Sequence, residues 1–522
     1  MRRLNILLTL VFLLNGIIYK ATAQVLTEKQ VDSLVTKTLK TFDVPGIAVA
    51  IVKDGKVVLS KGYGLRSLKT KEQVTETTFF GIASNSKAFT AAGLGMLVDE
   101  GKLKWDDKVI SILPDFKMYD PFVTREFTVR DLLTHRSGLG LGAGDLMIWP
   151  DSTQVTKNEL IHNLRYLKPV SSFRTKYDYD NLLYIVAGEV LAKVSGMSWE
   201  DFIEKKMMRP IGMNHSAASY PRLVNNSNSI DAHAPVNGVV TVIGKDFTPT
   251  ANAAGGIWSN VVEMSKWAIL QMDDGKYAGN KQLFSKSVHK DMWTPQTIIN
   301  RSSSAYNTHF ASYGLGCFLS DANGYLQVEH TGGLGGIVTQ VTLVPELKLG
   351  IIVLTNQQSG YAFSSITNTV KDGYFGLKKR DWITRYSEAN KEDLAEAKNI
   401  TDKLWAEIAA ETKKALKKPD LNIYSGKFTD EWFGEISLTQ RNGKFWFQAL
   451  KSPKLRGELH FYKEHTFIVK WEDRSMDADA FAKFTIDSDG KASGLKMEAI
   501  SPLTDFSYDF QDLNFKRSNK TK

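Results

Sequence analysis

The stretch Gly81-Ile82-Ala83-Ser84-Asn85-Ser86-Lys87-Ala88-Phe89-Thr90 decides how the rest of this chain is read. It leads into a hydrophobic, helix-like pattern and places a serine three residues before a lysine. On a helix that spacing sets both side chains on one face, one turn apart, so the Lys87 amine reaches the Ser84 hydroxyl without help from tertiary structure. At a helix N-terminus Ser84 also gains the positive end of the macrodipole and unpaired backbone N–H groups, which favour an alkoxide or an oxyanion. Lys87 shares its segment with Phe89, Leu94 and Met96. Partial desolvation there lowers an amine's pKa toward the range where it accepts or relays a proton. The pattern alone decides nothing, because Ser287/Lys290, Ser488/Lys491 and Ser493/Lys496 repeat it with no other sign of catalysis, and short motifs need a context.

Two further segments supply that context. Tyr177-Asp178-Tyr179-Asp180-Asn181-Leu182-Leu183-Tyr184 carries Tyr179-x-Asn181 ahead of an apolar helical pattern, and His330-Thr331-Gly332-Gly333-Leu334-Gly335-Gly336 sets glycines into a β-rich region. Tyr179 suits the general base or acid that exchanges a proton with Ser84 and the leaving group, its phenol expected to be held partly ionised by nearby cationic groups. Asn181 offers a side-chain amide to the carbonyl or amide of a substrate. Gly332 and Gly333 let a substrate backbone approach the strand closely, and the Gly333 N–H with that of Ser84 forms an oxyanion hole. Taken singly, Tyr179 reads equally well as a core-edge tyrosine and the glycines as a bulge or turn. All three elements in this order read as one site.

With these residues the chain resembles the serine β-lactamase and penicillin-binding-protein superfamily, most closely its class C-like, S12-type D,D-peptidase and esterase branch. Tyr179-Asp180-Asn181 looks like the Tyr-x-Asn element of that branch. His330-Thr331-Gly332 looks like its third element, with His where β-lactamases usually carry Lys. Thr128 to Leu139, Ala254 to Ser259 and Ile351 to Asn356 are also similar, so the resemblance covers about residues 25–375. It implies an α/β (α+β) fold, an antiparallel sheet covered by helices and joined to a helical lobe, with the site in the cleft between lobes. It makes Ser84, Lys87 and Tyr179 catalytic and sets Asn181, His330, Thr331 and Gly332 against the substrate. In β-lactamases that strand Lys usually attracts a carboxylate, whereas His330 is mostly neutral at pH 7 unless shifted upward; some D,D-peptidases and esterases of the superfamily carry His there, so the resemblance still implies catalysis and leaves the efficiency of β-lactamase activity open. His135, at the end of a Leu-rich helix, reads as a structural residue bound to last-turn carbonyls rather than as a base for Ser84.

The expected activity is hydrolysis through a Ser84 acyl-enzyme, on D-amino-acid peptides, β-lactam-like amides or short acyl esters. Acyl transfer to a small-molecule hydroxyl or amine, and a penicillin-binding-type sensor that acylates once, use the same residues and stand as alternatives. No cofactor is implied. The other histidines are scattered without paired zinc-ligand spacing, so no metal site is expected.

Met1-Arg2-Arg3, an apolar run from Leu4 to Tyr19 and Ala21-Thr22-Ala23 have the charged start, apolar middle and small-residue exit of a signal peptide, with cleavage expected between Ala23 and Gln24. A periplasmic or secreted enzyme without stable membrane insertion follows, an uncleaved anchor being the competing reading. Cys317 is the single cysteine; in an apolar run it reads as a buried small hydrophobe. The formal charge of +9 over 522 residues is spread along the chain, which gives nucleic-acid binding no support. The partner expected is a small-molecule or peptide substrate.

Outward from the motifs, Gly46 to Gly64 reads as a hairpin turning at Asp54-Gly55, with strands returning at Tyr325–His330, Val338–Leu343 and Ile351–Leu354. Gly140 to Lys168, with Trp149 and Pro150, is expected to wall the cleft. A helix from Asn390 to Lys418 carries Leu394, Ala397, Ile400, Leu404, Ile408 and Ala415 near one face. Beyond Pro419 short alternating segments, with turns at Asn442-Gly443 and Asp489-Gly490, resemble a small lipocalin-like β-barrel that binds a ligand, covers the cleft or mediates oligomerisation. The expected division is signal peptide 1–23, hydrolase domain 24–378, helical linker 379–418 and barrel 419–522.

Overall fold

Ile47-Ala48-Val49-Ala50-Ile51-Val52 is apolar at every position, the pattern of a strand buried on both faces. The computed structural model describes residues 25–279, 281–300, 303–414 and 419–518 and places this run in the interior of a sheet. The signal peptide and its cleavage point lie outside the described residues. β1 (Gly46–Lys53) pairs with β2 (Lys56–Gly64). Asp54 and Gly55 both take positive φ, 51° and 71°, as a two-residue turn matched to strand twist requires.

The remaining strands of the sheet are β3 (Thr297–Ile299), β4 (Ala311–Tyr313), β5 (Phe318–Ala322), β6 (Tyr325–Leu334), β7 (Ile337–Val344) and β8 (Leu349–Thr355). Their order is β2-β1-β8-β7-β6-β5-β4-β3, every pair antiparallel. Both ends of the larger N-terminal region thus build one sheet, with Ile47 opposite Thr355 and Gly333 opposite Val338.

Alternation along β1 separates two cores. Ile47, Val49 and Ile51 join Ile351 and Val353 under α1 (Glu28–Thr41) and α5 (Gly360–Tyr374), through Val31, Val35, Ile366 and Val370. Ala48, Ala50 and Val52 face the other way, into the core shared with the helical lobe. That lobe includes α2 (Ser86–Asp99), α3 (Leu182–Ser195) and α4 (Val261–Met272), and Phe89 of α2 stacks on Trp267 of α4 at 3.9 Å.

The linker helix α6 (Trp382–Lys414) starts eight residues before the expected Asn390. The side chain of Asp381 caps its first turn by accepting from the Thr384 N–H at 3.0 Å, and Trp382 and Ile383 bury themselves beside α5. The expected apolar face is only partly used. Ala397, Leu404 and Ile408 are buried, the last two against Tyr462, Ile468 and Ile500 of the barrel. Leu394 and Ile400 are 53% and 38% exposed, and Ala415 lies outside the described residues.

Eight strands close the C-terminal barrel: β9 (Gly426–Asp430), β10 (Gly434–Arg441), β11 (Lys444–Ala449), β12 (Arg456–Lys463), β13 (Thr466–Trp471), β14 (Ala480–Ile486), β15 (Ala492–Ala499) and β16 (Phe515–Arg517). Closure leaves no strand edge unpaired. Phe428, Phe447, Phe467, Trp471 and Phe515 are buried in its core. The barrel docks on the larger N-terminal region through Lys451 to Glu159 at 2.6 Å and through Lys454 to Asp151. The segment between β15 and β16 reaches the cleft.

Candidate active site

Ser84 stands in a single 3-10 turn, Ala83–Asn85, immediately before α2. The turn is held from outside. The Ile82 N–H donates to Ile257 O at 2.9 Å, Asn85 Nδ2 donates to Thr339 Oγ1 at 2.9 Å, and Thr339 Oγ1 donates to Ile82 O at 3.0 Å. Ala83 has φ 49°, a left-handed conformation that costs a residue with a Cβ and persists where its surroundings enforce it. Gly332 of β6 presses on this turn: a Cβ there would meet Ile82 O at 2.3 Å, Thr339 Oγ1 at 2.6 Å and Ala83 Cβ at 2.9 Å. The close approach Gly332 permits is therefore to the protein's own turn that carries Ser84, rather than the expected approach of a substrate backbone. Gly333 has nothing within 4 Å of its Cβ position and lines the cleft with Ser84.

Lys87 is fully buried. Its Nζ lies 3.1 Å from Ser84 Oγ, 2.7 Å from Asn181 Oδ1 and 3.0 Å from Ala254 O. An ammonium donates to all three. A free amine must accept one hydrogen bond, and of the three partners the Ser84 hydroxyl alone can donate. Burial lowers the Lys87 pKa to about 7 against the opposing charges of Asp145 and Asp180. Both protonation states are thus accessible near neutrality.

Tyr179 departs from expectation. Burial pushes its phenol well above the ordinary range, outweighing the hydrogen bond to Ser84 that pulls the other way, and Lys87 Nζ, 4.8 Å from the ring centroid, does not reverse this. Tyr179 is a neutral O–H rather than a partly ionised phenol. Asn181 also differs: its Oδ1 accepts from Lys87 and its Nδ2 donates to Asp145 Oδ2 at 2.8 Å, so the amide chiefly joins protein groups, with one hydrogen left for a ligand.

His330 is buried, and burial with the nearby Lys87 charge lowers its pKa to about 3. Its Nδ1 faces the Thr331 carbonyl at 2.5 Å, which requires Nδ1 to carry the hydrogen and Nε2 to accept from the Tyr313 hydroxyl at 2.9 Å. His330 is neutral, and Thr331 beside it is exposed in the cleft. His135 is structural, but not through last-turn carbonyls. Its Nδ1 accepts from the Asp180 N–H and its carbonyl from the Asp178 N–H, both at 3.0 Å, and its ring lies 4.2 Å from that of Tyr179. It thereby holds the loop that presents Tyr179 and Asn181. Cys317 is buried, and burial raises its thiol to about 12, in keeping with an inert side chain.

The cleft encloses about 920 Å³. Aromatic side chains of the hydrolase region, among them Trp149, Phe247 and Phe318, share its walls with Leu503 and Phe506 of the barrel. Asp246, Asp393, Asp477 and Asp505 also face it, and the described lining residues include no Lys or Arg. Among the described residues no group of three or more His, Cys, Asp or Glu could hold a metal ion.

The profile of the family described as Beta-lactamase matches residues 31–371. The chain belongs to the β-lactamase family. A second profile, described as a domain of unknown function (DUF3471), matches residues 410–517, the region of the barrel. The chain is 25% identical over 429 residues to unguisins hydrolase ungD of Aspergillus violaceofuscus, covering 77% of this chain and 75% of that one. It is 26% identical over 341 residues to protein flp of Staphylococcus aureus, covering 64% of each. The octameric penicillin-binding protein homologue from Pyrococcus abyssi shares the fold, with TM-score 0.61 and 23% identity over 94% of this chain and all of that one.

The sequence motifs of this β-lactamase-family member do not include three residues that the structure brings to the site. Asp145 is fully buried and accepts from Asn181 Nδ2; an acid set among glycines and apolar residues in Gly142-Ala143-Gly144-Asp145-Leu146-Met147 was its one available signal. Ser507 donates to Asp145 Oδ2 at 2.8 Å, and the Phe506 ring lies 5.8 Å from that of Tyr179. Both come from the barrel, more than 320 residues along the chain, and no local pattern marks them.

Proposed function

We propose that this protein is a serine hydrolase that works through a Ser84 acyl-enzyme on amides or esters carrying no free carboxylate beside the scissile bond, and that it is exported. The observation that carries the chemistry is the buried Lys87 amine 3.1 Å from Ser84 Oγ, its pKa lowered to about 7. In the free-base form Lys87 takes the Ser84 proton as Oγ attacks the carbonyl carbon. The backbone N–H groups of Ser84 and Gly333 receive the oxyanion. The neutral Tyr179 phenol hands its proton to the leaving alcohol or amine as the C–O or C–N bond breaks, and Lys87 reprotonates it. Water then attacks the ester of Ser84, its proton returning along the same pair of residues.

The substrate class rests on charge. His330 is neutral where β-lactamases usually carry Lys, the described cleft lining holds no Lys or Arg, and of the four aspartates that face the space burial holds Asp246, Asp477 and Asp505 above the ordinary carboxylate range. A carboxylate would be desolvated there without a cationic partner. Turnover of a neutral p-nitrophenyl acyl ester, compared with a penicillin, tests this. The ester is expected to turn over with a kcat/KM at least about a hundredfold higher, and Ser84→Ala to abolish that turnover while the fold is kept. Equal or better penicillin turnover contradicts the substrate reading, and full turnover by Ser84→Ala contradicts the serine mechanism.

A further inference from the structure

The barrel contributes a side chain to the hydrogen-bond network behind the nucleophile. Ser84 Oγ, Lys87 Nζ, Asn181, Asp145 Oδ2 and Ser507 Oγ form one unbroken chain, with successive separations of 3.1, 2.7, 2.8 and 2.8 Å. Four of these residues belong to the hydrolase region; the last lies 362 residues from Asp145. The attachment is built rather than incidental. Asp509, two residues on, accepts from the Gly144 N–H at 2.6 Å and the Leu146 N–H at 3.0 Å, so one carboxylate of the barrel grips the backbone on both sides of Asp145. Ser507, Asp509 and Asp145 are all buried.

We propose that Ser507 is a positioning residue of the acyl-transfer site: its hydroxyl holds Asp145, and through Asp145 and Asn181 it sets the orientation and charge of Lys87. This rests on Ser84 and Lys87 being the nucleophile and its base. The electrostatics follow from the surroundings of Asp145. The groups that face it are Lys87 from α2, Asp180 and Tyr179 from the loop before α3, and Asp509 from the barrel. Burial raises the Asp145 pKa to about 8, with the Asp180 charge adding to this and Asn181, Ser507 and Lys87 pulling it back. Its Oδ1 has no hydrogen-bond partner, so the donors on Oδ2 are what favour the charged form. A charged Asp145 in turn favours the ammonium form of Lys87.

Removing the Ser507 hydroxyl therefore has a definite sign. Asp145 and Lys87 titrate as a coupled pair: in the fraction of molecules that hold Asp145 ionised, losing the hydroxyl returns the proton to Asp145, Lys87 loses its counter-charge, and the free amine forms at lower pH. In ester hydrolysis Ser507→Ala is expected to move the acidic limb of the kcat/KM profile to lower pH, by up to about half a unit, since one lost hydrogen bond to a charged group acts only where Asp145 is ionised. Looser placement of Asn181 and Lys87 lowers kcat roughly tenfold while KM stays within about twofold. Asp145→Asn, which keeps the volume and removes the charge, is expected to move the limb the same way and further. Ser507→Thr keeps the hydroxyl and is expected to restore it.

The three variants are measured beside Ser84→Ala, with melting temperature as the check on folding, and Asp145→Asn serves if Ser507→Ala does not fold. Wild-type kcat in the folded Ser507→Ala, or a limb that moves to higher pH, overturns the role of Ser507. If Ser84→Ala retains turnover, the serine mechanism itself falls. If Ser84→Ala is inactive and Ser507→Ala keeps the wild-type kcat, only the inference about Ser507 falls.

Discussion

Replacing Gly332 by Ala should separate the nucleophile turn from everything else in the fold. The added methyl would sit 2.3 Å from Ile82 O, 2.6 Å from Thr339 Oγ1 and 2.9 Å from Ala83 Cβ. The first contact is about 1 Å shorter than an ordinary van der Waals approach, and its partner is backbone, which cannot rotate away as a side-chain tip can. Either β6 or the turn carrying Ser84 must shift. At Gly332 β6 is held by its pairing with β7, opposite Thr339, and further along by β5, whereas the turn is already strained at Ala83, so the turn is expected to yield. Overpacking of this kind costs about 1–3 kcal/mol of stability, and a displacement of about 1 Å at a nucleophile costs roughly a hundredfold in rate. The assay is the rate of acylation by a fluorophosphonate, followed by intact mass, beside a melting curve. Gly333→Ala is the control: its Cβ meets nothing within 4 Å, so it should fold like the wild type, with effects confined to ester KM. Wild-type acylation by Gly332→Ala, or a greater loss of stability in Gly333→Ala, would refute the assignment of Gly332 to the nucleophile turn.

Activity should rise with pH through the region near 7, because Lys87 must lose its proton before it can take that of Ser84. Asp180, held up to about 7 by burial, and Asp145 at about 8 titrate over the same range, so the limb belongs to the cluster; kcat/KM is expected to rise about tenfold from pH 6 to above pH 8, and a flat profile would contradict this. Asp131→Asn tests the scaffold behind the catalytic loop. Burial pushes the Asp131 carboxyl up, but Arg174 and Thr128 outweigh it and hold it below its ordinary range, with Arg136 pairing at 3.1 Å. The substitution is expected to cost about 2 kcal/mol, less than for a fully buried pair because Arg174 is partly exposed. That contribution is fully present above the ordinary aspartate pKa of about 3.9 and is lost as the pH falls below it, so acid melts of wild type and variant should converge. Export predicts a mature N-terminus at Gln24 by N-terminal sequencing; an intact Met1 start in the exported fraction would contradict the leader reading.

Most of the hydrolase fold was legible because its signals are local. A doubly apolar run for β1, an Asp-Gly turn and a Ser-x-x-Lys on a hydrophobic helix each follow from a few adjacent residues. The barrel was legible from alternation, Thr466 to Trp471 matching β13 as observed. What was misjudged depends on distant packing. The Tyr179 phenol follows burial rather than its cationic neighbours, and Gly332 answers a turn some 250 residues away. Leu394 fits the periodicity of α6 and yet faces the cleft. Asp145 gains meaning only from Asn181, Ser507 and Lys87, which converge on it in the folded chain. Ser507 was beyond reach for the same reason, being one of many serines until the barrel docks.

Intact and peptide-level mass spectrometry of the wild type and of Ser84→Ala after exposure to a fluorophosphonate tests the serine mechanism most directly. One adduct per chain in the wild type, located on Ser84 and missing from Ser84→Ala, is the predicted result. An adduct of the same stoichiometry in Ser84→Ala, or one on another residue of the wild type, would contradict it.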